Sequence, residues 1–236
     1  MFEIDHIPVW TRDRDGALDR LSAAAGLPIL EGFAPDGRRV ARGVRFSNGP
    51  FLDVHQAQAE GSVRLGLSGD VAAAEALAGQ RGWRTRTALR GDEPDVEPWS
   101  ILSFRRGQGV LSAMFVIDYA QTPEAWTSPI FNGGLYHLPA GRGPALRRAW
   151  LTANNPTEAG RALEALGFIP DSEARSPIAP YTGRTYRGGR ADIVLSGGED
   201  AVMRFDVDGD GPQQVIEIGP RLIAVVGDSS PESQQG

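Results

Sequence analysis

The sequence repeats one local pattern three times, and this repeat constrains the fold more than any other feature. In each copy an alternating apolar segment precedes an amphipathic helix, and the helix ends at a glycine. The three glycines are Gly26, Gly82 and Gly167, at spacings of 56 and 85 residues. Tandem copies of this kind predict repeated supersecondary units.

Each copy predicts one helix with strands before and after it. The predicted helices cover residues 13–25, 71–80 and a segment that begins with Asn155-Pro156. The predicted strands are 2–10, 39–46, 50–57, 63–67, 84–89, 99–105, 110–118, 146–152, 184–187, 191–195, 202–207, 214–218 and 221–226. This order indicates an α+β fold of tandem βαβββ modules, with cupped, mostly antiparallel sheets and the helices on the outer face.

The repeat also predicts how the chain divides. We predict a first module at residues 1–60, a second at 61–120, a linker at 121–145, a third module at 146–227 and a disordered polar tail at 228–236. The linker is rich in proline, glycine and aromatic residues. A loop of that length in a compact protein is usually functional or disordered, and the aromatic residues argue against disorder.

Composition excludes several classes of protein. The chain has no cysteine, which excludes disulfide scaffolds, cysteine zinc sites, iron–sulfur clusters and a cysteine nucleophile. It has 30 acidic and 24 basic side chains, and this acidic balance argues against nucleic acid as a partner. All the basic residues are arginines, which removes Schiff-base chemistry and leaves aspartate and glutamate as candidate general bases.

We expect a cytoplasmic protein of bacterial type that has no membrane partner. No apolar run reaches the roughly 18 residues that are typical of a membrane span. The first residues include Glu3 and Asp5 and lack the basic segment of a signal peptide. A composition rich in alanine, glycine and arginine is typical of a GC-rich genome.

Two blocks of the sequence resemble a known family. Residues 4–9 read Ile-Asp-His-Ile-Pro-Val and are followed by an Asp/Arg-rich turn, an alanine-rich helix and Gly26. Residues 44–55 read Val-Arg-Phe-Ser-Asn-Gly-Pro-Phe-Leu-Asp-Val-His. These blocks are similar to the first and fourth strands of the glyoxalase-like branch of the vicinal oxygen chelate superfamily. The repeats extend the resemblance over most of the chain.

The resemblance implies a cupped sheet that holds a divalent metal ion. In the family the usual ligands are a histidine on the first strand and an acid on the fourth, and the partner module supplies the rest. Here these residues are His6 and Asp53. Members of the family include lyases, isomerases, extradiol dioxygenases and resistance proteins, some of which sequester drugs without a metal.

Strand alternation tests which side chains share the cup. The predicted cup-facing residues are Ile4, His6 and Pro8 on the first strand, and Phe51, Asp53 and His55 on the fourth. The predicted helix-facing residues are Ile7, Val9, Leu52 and Val54. His6, Asp53 and His55 can therefore share one cavity, where they suit zinc, iron(II), manganese or nickel. Asp53 is also the candidate catalytic base.

The other modules depart from the family pattern. The positions where a second first-strand histidine is expected hold Ser62 or Val63 in the second module and Arg147 or Arg148 in the third. The linker holds the remaining histidine, which completes the candidate metal set of His6, Asp53, His55 and His137. The acid Asp53 is one methylene shorter than the commoner glutamate.

Aromatic residues and one arginine are the candidate substrate-binding groups. They are Phe51, Trp126, Tyr136 and Arg45. Arg45 belongs to an arginine-rich segment in which strand parity pairs either Arg39 with Arg45 or Arg38 with Arg42. Either pair could meet a carboxylate or phosphate of a substrate. The alternative is a solvated strand edge guarded by charge.

Residues 206–217 match the calcium loop of an EF-hand, with glycine at the sixth place and an acid at the twelfth. A true EF-hand has a helix on each side of the loop. Residues 201–205 are instead β-like, and Gly219-Pro220 would break an exiting helix. We therefore predict a polar turn between two strands.

Three functional hypotheses remain. The first is a glyoxalase-like protein that binds a small oxygenated molecule in the cup, with metal-dependent lyase, isomerase or dioxygenase chemistry. The second is a metal-free binding protein of the resistance type, favoured by the missing ligands and the aromatic linker. The third is a structural role in which side chains fill the cup. The expected partners are a small-molecule ligand and a second copy of the chain, without nucleic acid or membrane.

Overall fold

A computed structural model describes most of the chain. The described residues are 2–34, 36–59, 61, 63–89, 98–120, 122, 127, 131, 134–136, 143–175, 182–219 and 221–228. The helices among them are α1 (Arg14–Ala25), α2 (Val71–Arg81) and α3 (Pro156–Ala165), with a short 3-10 helix at Gly109–Ala113. None of the helices in this part of the chain is long and apolar enough to cross a membrane.

The strands fall into two sheets. Those of the first sheet are β1 (Glu3–Thr11), β2 (Ile29–Phe33), β3 (Arg39–Arg45), β4 (Phe51–Gln56), β5 (Leu65–Ser68), β6 (Thr85–Ala88), β7 (Trp99–Phe104) and β8 (Met114–Tyr119). Those of the second are β9 (Leu146–Ala153), β10 (Ile169–Arg175), β11 (Thr182–Arg187), β12 (Asp192–Gly197), β13 (Ala201–Val207), β14 (Gln214–Gly219) and β15 (Leu222–Val226).

The first sheet consists of two matching halves. Its strand order is β2-β3-β4-β1-β5-β8-β7-β6. In each half the first strand runs parallel to the fourth, so that β1 pairs with β4 and β5 with β8. The halves meet where β1 and β5 pair in antiparallel fashion. The first two copies of the repeat that is visible in the sequence are therefore the two halves of this sheet.

The second sheet has one complete half and one abbreviated half. Its order is β10-β11-β12-β9-β13-β15-β14. Strands β9 to β12 and helix α3 repeat the βαβββ pattern, whereas no helix lies between β13 and β14 in residues 201–219. Most strand pairs in both sheets are antiparallel, and the predicted α+β class is confirmed. The division into modules at the predicted boundaries stays a prediction.

Local capping explains why α2 begins and ends where the repeat predicts and why α1 ends there. The Asp70 carboxylate accepts hydrogen bonds from the backbone N–H groups of Ala72 and Ala73 at the start of α2. Helices α1 and α2 end at Gly26 and Gly82, whose φ angles of 65° and 69° lie in the left-handed region that favours glycine.

The helices and the inner faces of both sheets share one hydrophobic core. Ile7 and Val9 of β1 belong to this core together with residues of the second sheet, as their predicted helix-facing positions require. Phe46, which directly follows β3, and Phe205 of β13 are fully buried, and their ring centroids lie 6.2 Å apart. Helix α1 packs on the first sheet and also contacts β14 of the second. The concave face of the first sheet lies on the opposite side.

Asn48 joins the two sheets by hydrogen bonds. Its Nδ2 donates to the carbonyl oxygens of Leu146 and Arg190, at 2.7 and 2.6 Å. Its Oδ1 accepts from the Leu146 backbone N–H at 3.0 Å. The side-chain amide of Asn48 therefore satisfies two backbone carbonyl oxygens and one backbone N–H group where β9 begins.

We predict that Asn48→Asp destabilises the whole protein. The aspartate carboxylate would still accept the hydrogen bond from the Leu146 N–H group, but it could not donate to the carbonyl oxygens of Leu146 and Arg190. These two oxygens would then face a negative charge. The free energy of unfolding in urea should fall by about 1–3 kcal/mol. The matched control is Gln80→Glu, the same chemical change on the exposed surface of α2, which should alter the free energy by less than about 0.5 kcal/mol. Equal effects of the two substitutions would contradict the role of Asn48.

Candidate functional site

The concave face of the first sheet encloses a cavity of about 650 Å³, which we call the cup. This volume suits a small molecule. Its aromatic and apolar lining includes Trp10, Phe33, Phe51, Trp99, Ile101, Phe115, Ile117, Tyr119 and Tyr136. Its lining also includes the three predicted polar residues His6, Asp53 and His55. The structure therefore brings these three side chains to one cavity, as strand alternation predicts.

A β-bulge in β1 sets the polar end of the cup. The pairing of β1 with β5 matches Ile4 with Leu67 and His6 with Gly66, so that Asp5 is an extra residue on β1. The extra residue reverses the alternation before it. Ile4 consequently packs in the core, and the prediction that it faces the cup is wrong.

The bulge brings the Asp5 carboxylate against the His6 ring. His6 Nδ1 donates to Asp5 Oδ2 at 2.6 Å, and the Tyr119 hydroxyl donates to the same oxygen at 2.6 Å. Burial alone would raise the pKa of Asp5, but the hydrogen bonds from His6 and Tyr119 outweigh it and lower that pKa. Burial raises the pKa of Tyr119 well above its usual value, and the charge of Asp5 adds to the rise. The Asp5 carboxylate thus holds a proton on His6 Nδ1. Nε2 is the ring nitrogen that Asp5 does not contact.

The His6 ring is held between two phenylalanine rings. It stacks on Phe51 with centroids 4.7 Å apart and planes 3° from parallel, and it meets the edge of Phe115 at 5.1 Å. Gly66 makes room for this arrangement. A Cβ atom there would lie 2.8 Å from both His6 Nδ1 and Phe115 Cζ, closer than real contacts allow.

Gly66 is also the counterpart of His6 in the other half of the sheet. His6 pairs with Phe51 across β1 and β4, and Gly66 pairs with Phe115 across β5 and β8. The predicted counterparts were Val63 and Ser62, of which Ser62 lies outside the described residues. A second histidine at position 66 would collide with the first. The symmetry of the sheet therefore cannot supply a symmetric pair of histidine ligands.

Asp53 lies at the centre of a second hydrogen-bonded group. Its Oδ2 accepts from the Tyr136 hydroxyl at 3.2 Å and lies 3.2 Å from His55 Nε2. Its Oδ1 is buried and has no hydrogen-bond partner among the described residues. The His55 ring stacks on Trp10 at 4.8 Å, with planes 9° from parallel.

The Asp53 group changes the acidity of its neighbours. Burial alone would lower the pKa of His55, but the hydrogen bond and negative charge of Asp53 outweigh it and raise that pKa. Burial raises the pKa of the Tyr136 hydroxyl far above its usual value, and Asp53 adds to the rise. Tyr136 therefore remains a neutral hydrogen-bond donor at physiological pH.

The described residues do not complete a metal site. Within residues 2–228, apart from the gaps given above, no three histidine, aspartate or glutamate side chains converge to hold an ion. His6 Nδ1 is bound to Asp5, and Asp53 Oδ2 is shared by Tyr136 and His55. The two linker residues His137 and Trp126 lie outside the described residues. The predicted roles in metal binding and base catalysis therefore stay predictions.

The arginines of residues 38–45 lie in different surroundings in the structure. Arg45 is buried beside the cup, where its guanidinium lies 5.3 Å above the Phe51 ring and donates to the Leu135 carbonyl at 2.8 Å. It lines an adjoining cavity that shares Phe51 and Tyr136 with the cup. Arg38 lines the cup, whereas Arg39 and Arg42 form ion pairs with Glu31.

The calcium-like segment is a turn between two strands, as predicted. Strand β13 ends at Val207 and β14 begins at Gln214, so neither flanking helix of an EF-hand is present in residues 201–219. The first acid of the pattern, Asp206, is buried and accepts a hydrogen bond from Trp150 Nε1 at 2.9 Å.

Sequence reasoning missed Asp5, Tyr119 and Trp10. Trp10 and Tyr119 lie on the cup-facing side of β1 and β8, where side chains alternate regularly. Extending the predicted alternation to the ends of these two strands could have found both. The role of Asp5 depends on the bulge, for which the sequence carries no local signal.

Comparison with known proteins identifies the fold. No family model and no curated protein matches the chain. A hypothetical protein from Staphylococcus aureus superposes with a TM-score of 0.63 at 10% identity, covering 96% of this chain and 98% of that one. Homoprotocatechuate 2,3-dioxygenase from Arthrobacter globiformis gives 0.59 at 13% identity, covering 98% and 82%. The Mn(II)-bound glyoxalase from Novosphingobium aromaticivorans gives 0.58 at 11% identity, covering 95% and 81%. The fold of this chain is the glyoxalase-like fold of the vicinal oxygen chelate proteins.

We predict that the pKa of His55 lies above its ordinary value of about 6.5 and falls below it in Asp53→Asn. Without the carboxylate, burial and the charge of Arg14 lower the pKa of His55, and only the weaker effect of the hydrogen bond to the Val40 backbone opposes them. NMR titration of the histidine ring signals, assigned with His55→Gln, measures both values. Because the folded-state pKa is raised, the pair stabilises the protein fully below the unfolded value and less as the pH rises through the folded value.

The control for this titration is Tyr136→Phe. It removes the other hydrogen bond to Asp53 and keeps the carboxylate, so the pKa of His55 should stay above its ordinary value. A pKa that does not move in Asp53→Asn would show that the His55–Asp53 contact is absent in solution.

Proposed function

We propose that the cup binds a small aromatic molecule that carries a hydroxyl group, and that it binds this molecule without a metal ion. The observation that carries the proposal is the pair of parallel ring stacks, His6 on Phe51 and Trp10 on His55, in one cavity. The rings of both stacks line the cavity, and a planar ligand beside such rings gains contact area and ring–ring attraction.

The size and lining of the cup support this ligand class. A cavity of about 650 Å³ with mostly aromatic and aliphatic walls excludes water well when a planar molecule enters. The rings of Phe51 and Phe115 are buried, and their contacts with His6 fix their positions. Such fixed side chains lose little entropy on binding.

The Asp53 group supports a hydroxyl on the ligand. Asp53 has one buried oxygen without a hydrogen-bond partner among the described residues, and an unpaired buried acceptor is costly. Asp53 also lines the cup, so its carboxylate is an acceptor for a ligand hydroxyl there. Tyr136 and His55 already hold the other oxygen, so the acceptor has a fixed direction.

Metal-dependent lyase, isomerase or dioxygenase chemistry is the second candidate. One observation favours it: Asp5 holds the proton on His6 Nδ1, and metal-ligating histidines are usually held in this way by a carboxylate. The neighbours named above include a dioxygenase and an Mn(II)-bound glyoxalase. The described residues do not supply the further ligands, so we derive no reaction step through a metal. A cytoplasmic location and a homodimer are retained as proposals.

We predict that Phe51→Leu weakens the binding of 2-naphthol between about twofold and tenfold. The substitution keeps an apolar side chain at this position but removes the aromatic ring. Isothermal titration calorimetry measures the change. The control is Phe205→Leu, which alters a buried phenylalanine in the shared core and should leave the affinity unchanged. No binding of 2-naphthol to the unaltered protein would count against the proposed function.

We predict that the affinity for 2-naphthol is the same with and without a chelator. Elemental analysis of protein purified from metal-supplemented medium should show less than one equivalent of zinc, iron, manganese or nickel. A stoichiometric metal that disappears in His6→Ala, together with loss of 2-naphthol binding in the presence of chelator, would favour the metal-dependent candidate instead.

A further inference from the structure

A further cavity of about 880 Å³ adjoins the cup, and six of its fifteen lining residues are arginines. Its arginines are Arg64, Arg84, Arg86, Arg105, Arg106 and Arg221. We call this surface the arginine groove. Among its described lining residues Asp200 is the one carboxylate, although the chain as a whole has a net charge of -6. Positive charge is therefore concentrated in this part of an acidic protein.

The arginines converge from both sheets. Arg84 and Arg86 lie at β6, Arg105 and Arg106 follow β7, and Arg221 lies between β14 and β15. Charge that guards an exposed sheet edge would account for the two arginines of β6. It does not account for an arginine contributed by the other sheet.

The charge of the groove is mostly not neutralised within the described part of the chain. Arg221 pairs with Glu199 at 2.6 Å, and both side chains are exposed. The other five arginines form no salt bridge with a described carboxylate. Asp200 is bound by Asn154, whose backbone N–H and Nδ2 each donate to it at 3.1 Å.

Backbone carbonyls hold several of the guanidinium groups in place without neutralising them. Arg64 Nη2 donates to the Met114 carbonyl at 2.8 Å, and Arg105 Nε donates to the Thr85 carbonyl at 3.2 Å. Each guanidinium has five N–H donors, so most of its donors remain for a ligand. Positioned guanidinium groups suit the oxygens of phosphate, which they bind in pairs of hydrogen bonds.

The groove is continuous with the cup. Arg64, Arg86 and Ser103 line both cavities. The Arg64 guanidinium lies 4.8 Å from the centroid of the Phe115 ring, and that ring touches His6 in the cup. One molecule can therefore place an aromatic group in the cup and a charged group among the arginines.

We propose that the arginine groove is the anion subsite of the cup and that the ligand is an aromatic molecule carrying a phosphate group or a comparable multivalent oxyanion. This inference rests on the proposed function for its aromatic half. The groove provides the phosphate half, through Arg64 and Arg86 at the boundary and the remaining arginines beyond it.

Calorimetry at low ionic strength tests the proposal with 2-naphthol and with 6-hydroxy-2-naphthyl phosphate, which keeps the hydroxyl of 2-naphthol and carries a phosphate ester at the far end of the ring system. The unaltered protein should bind the phosphate about tenfold more tightly, since several exposed charge pairs act together. The preference should shrink as salt screens the charges. Inorganic tripolyphosphate should compete with 6-hydroxy-2-naphthyl phosphate and leave the binding of 2-naphthol unchanged.

The double variant Arg84→Gln/Arg105→Gln should lose most of the phosphate preference and keep its affinity for 2-naphthol. The matched control is Arg175→Gln/Arg184→Gln, which removes two exposed arginines from the second sheet and should keep the preference. Equal losses in both variants would show a general charge effect and overturn the subsite. Binding of 2-naphthol without any phosphate preference would also overturn it, whereas binding of neither aromatic probe would overturn the proposed function itself.

Discussion

The β-bulge in β1 is the constraint on which the site depends. Strand β1 is central in the first sheet, because it pairs with β4 of its own half and with β5 of the other. The extra residue Asp5 lets Ile4 point into the core while His6 points into the cup. It also places a carboxylate beside the imidazole, and this contact fixes the ring that Phe51 and Phe115 then enclose.

The regular strands of the site could be predicted, and the irregular one could be predicted only in part. Alternation along β4 correctly brings Phe51, Asp53 and His55 to the cup, because that strand has no bulge. Alternation along β1 is correct for His6 and wrong for Ile4. Tyr119 is separated from its partner Asp5 by 114 positions in the sequence. A contact between residues so far apart in the chain follows from the sheet topology rather than from a local sequence pattern.

The helices were predictable because their ends are decided locally, by Asp70 at one end of α2 and by Gly82 at the other. Function does not follow the repeat in the same way. The two halves of the first sheet match in strand order, yet Gly66 stands where the first half has His6. The polar groups of β1 and β4 therefore face an apolar wall and arginines from the second half. The strand order of the first sheet is therefore symmetric, whereas the side chains that line the cup are not.

The shared core has a consequence for protein engineering. The strands that form the cup all lie within residues 1–120, which suggests a module that could be excised and moved to another protein. Phe46 packs on Phe205, however, and α1 contacts β14, so such a fragment would expose its convex surface. An exposed apolar surface of that kind invites aggregation. Directed evolution of the cup therefore needs libraries built in a chain that contains both sheets, with the second sheet retained as the support of the first.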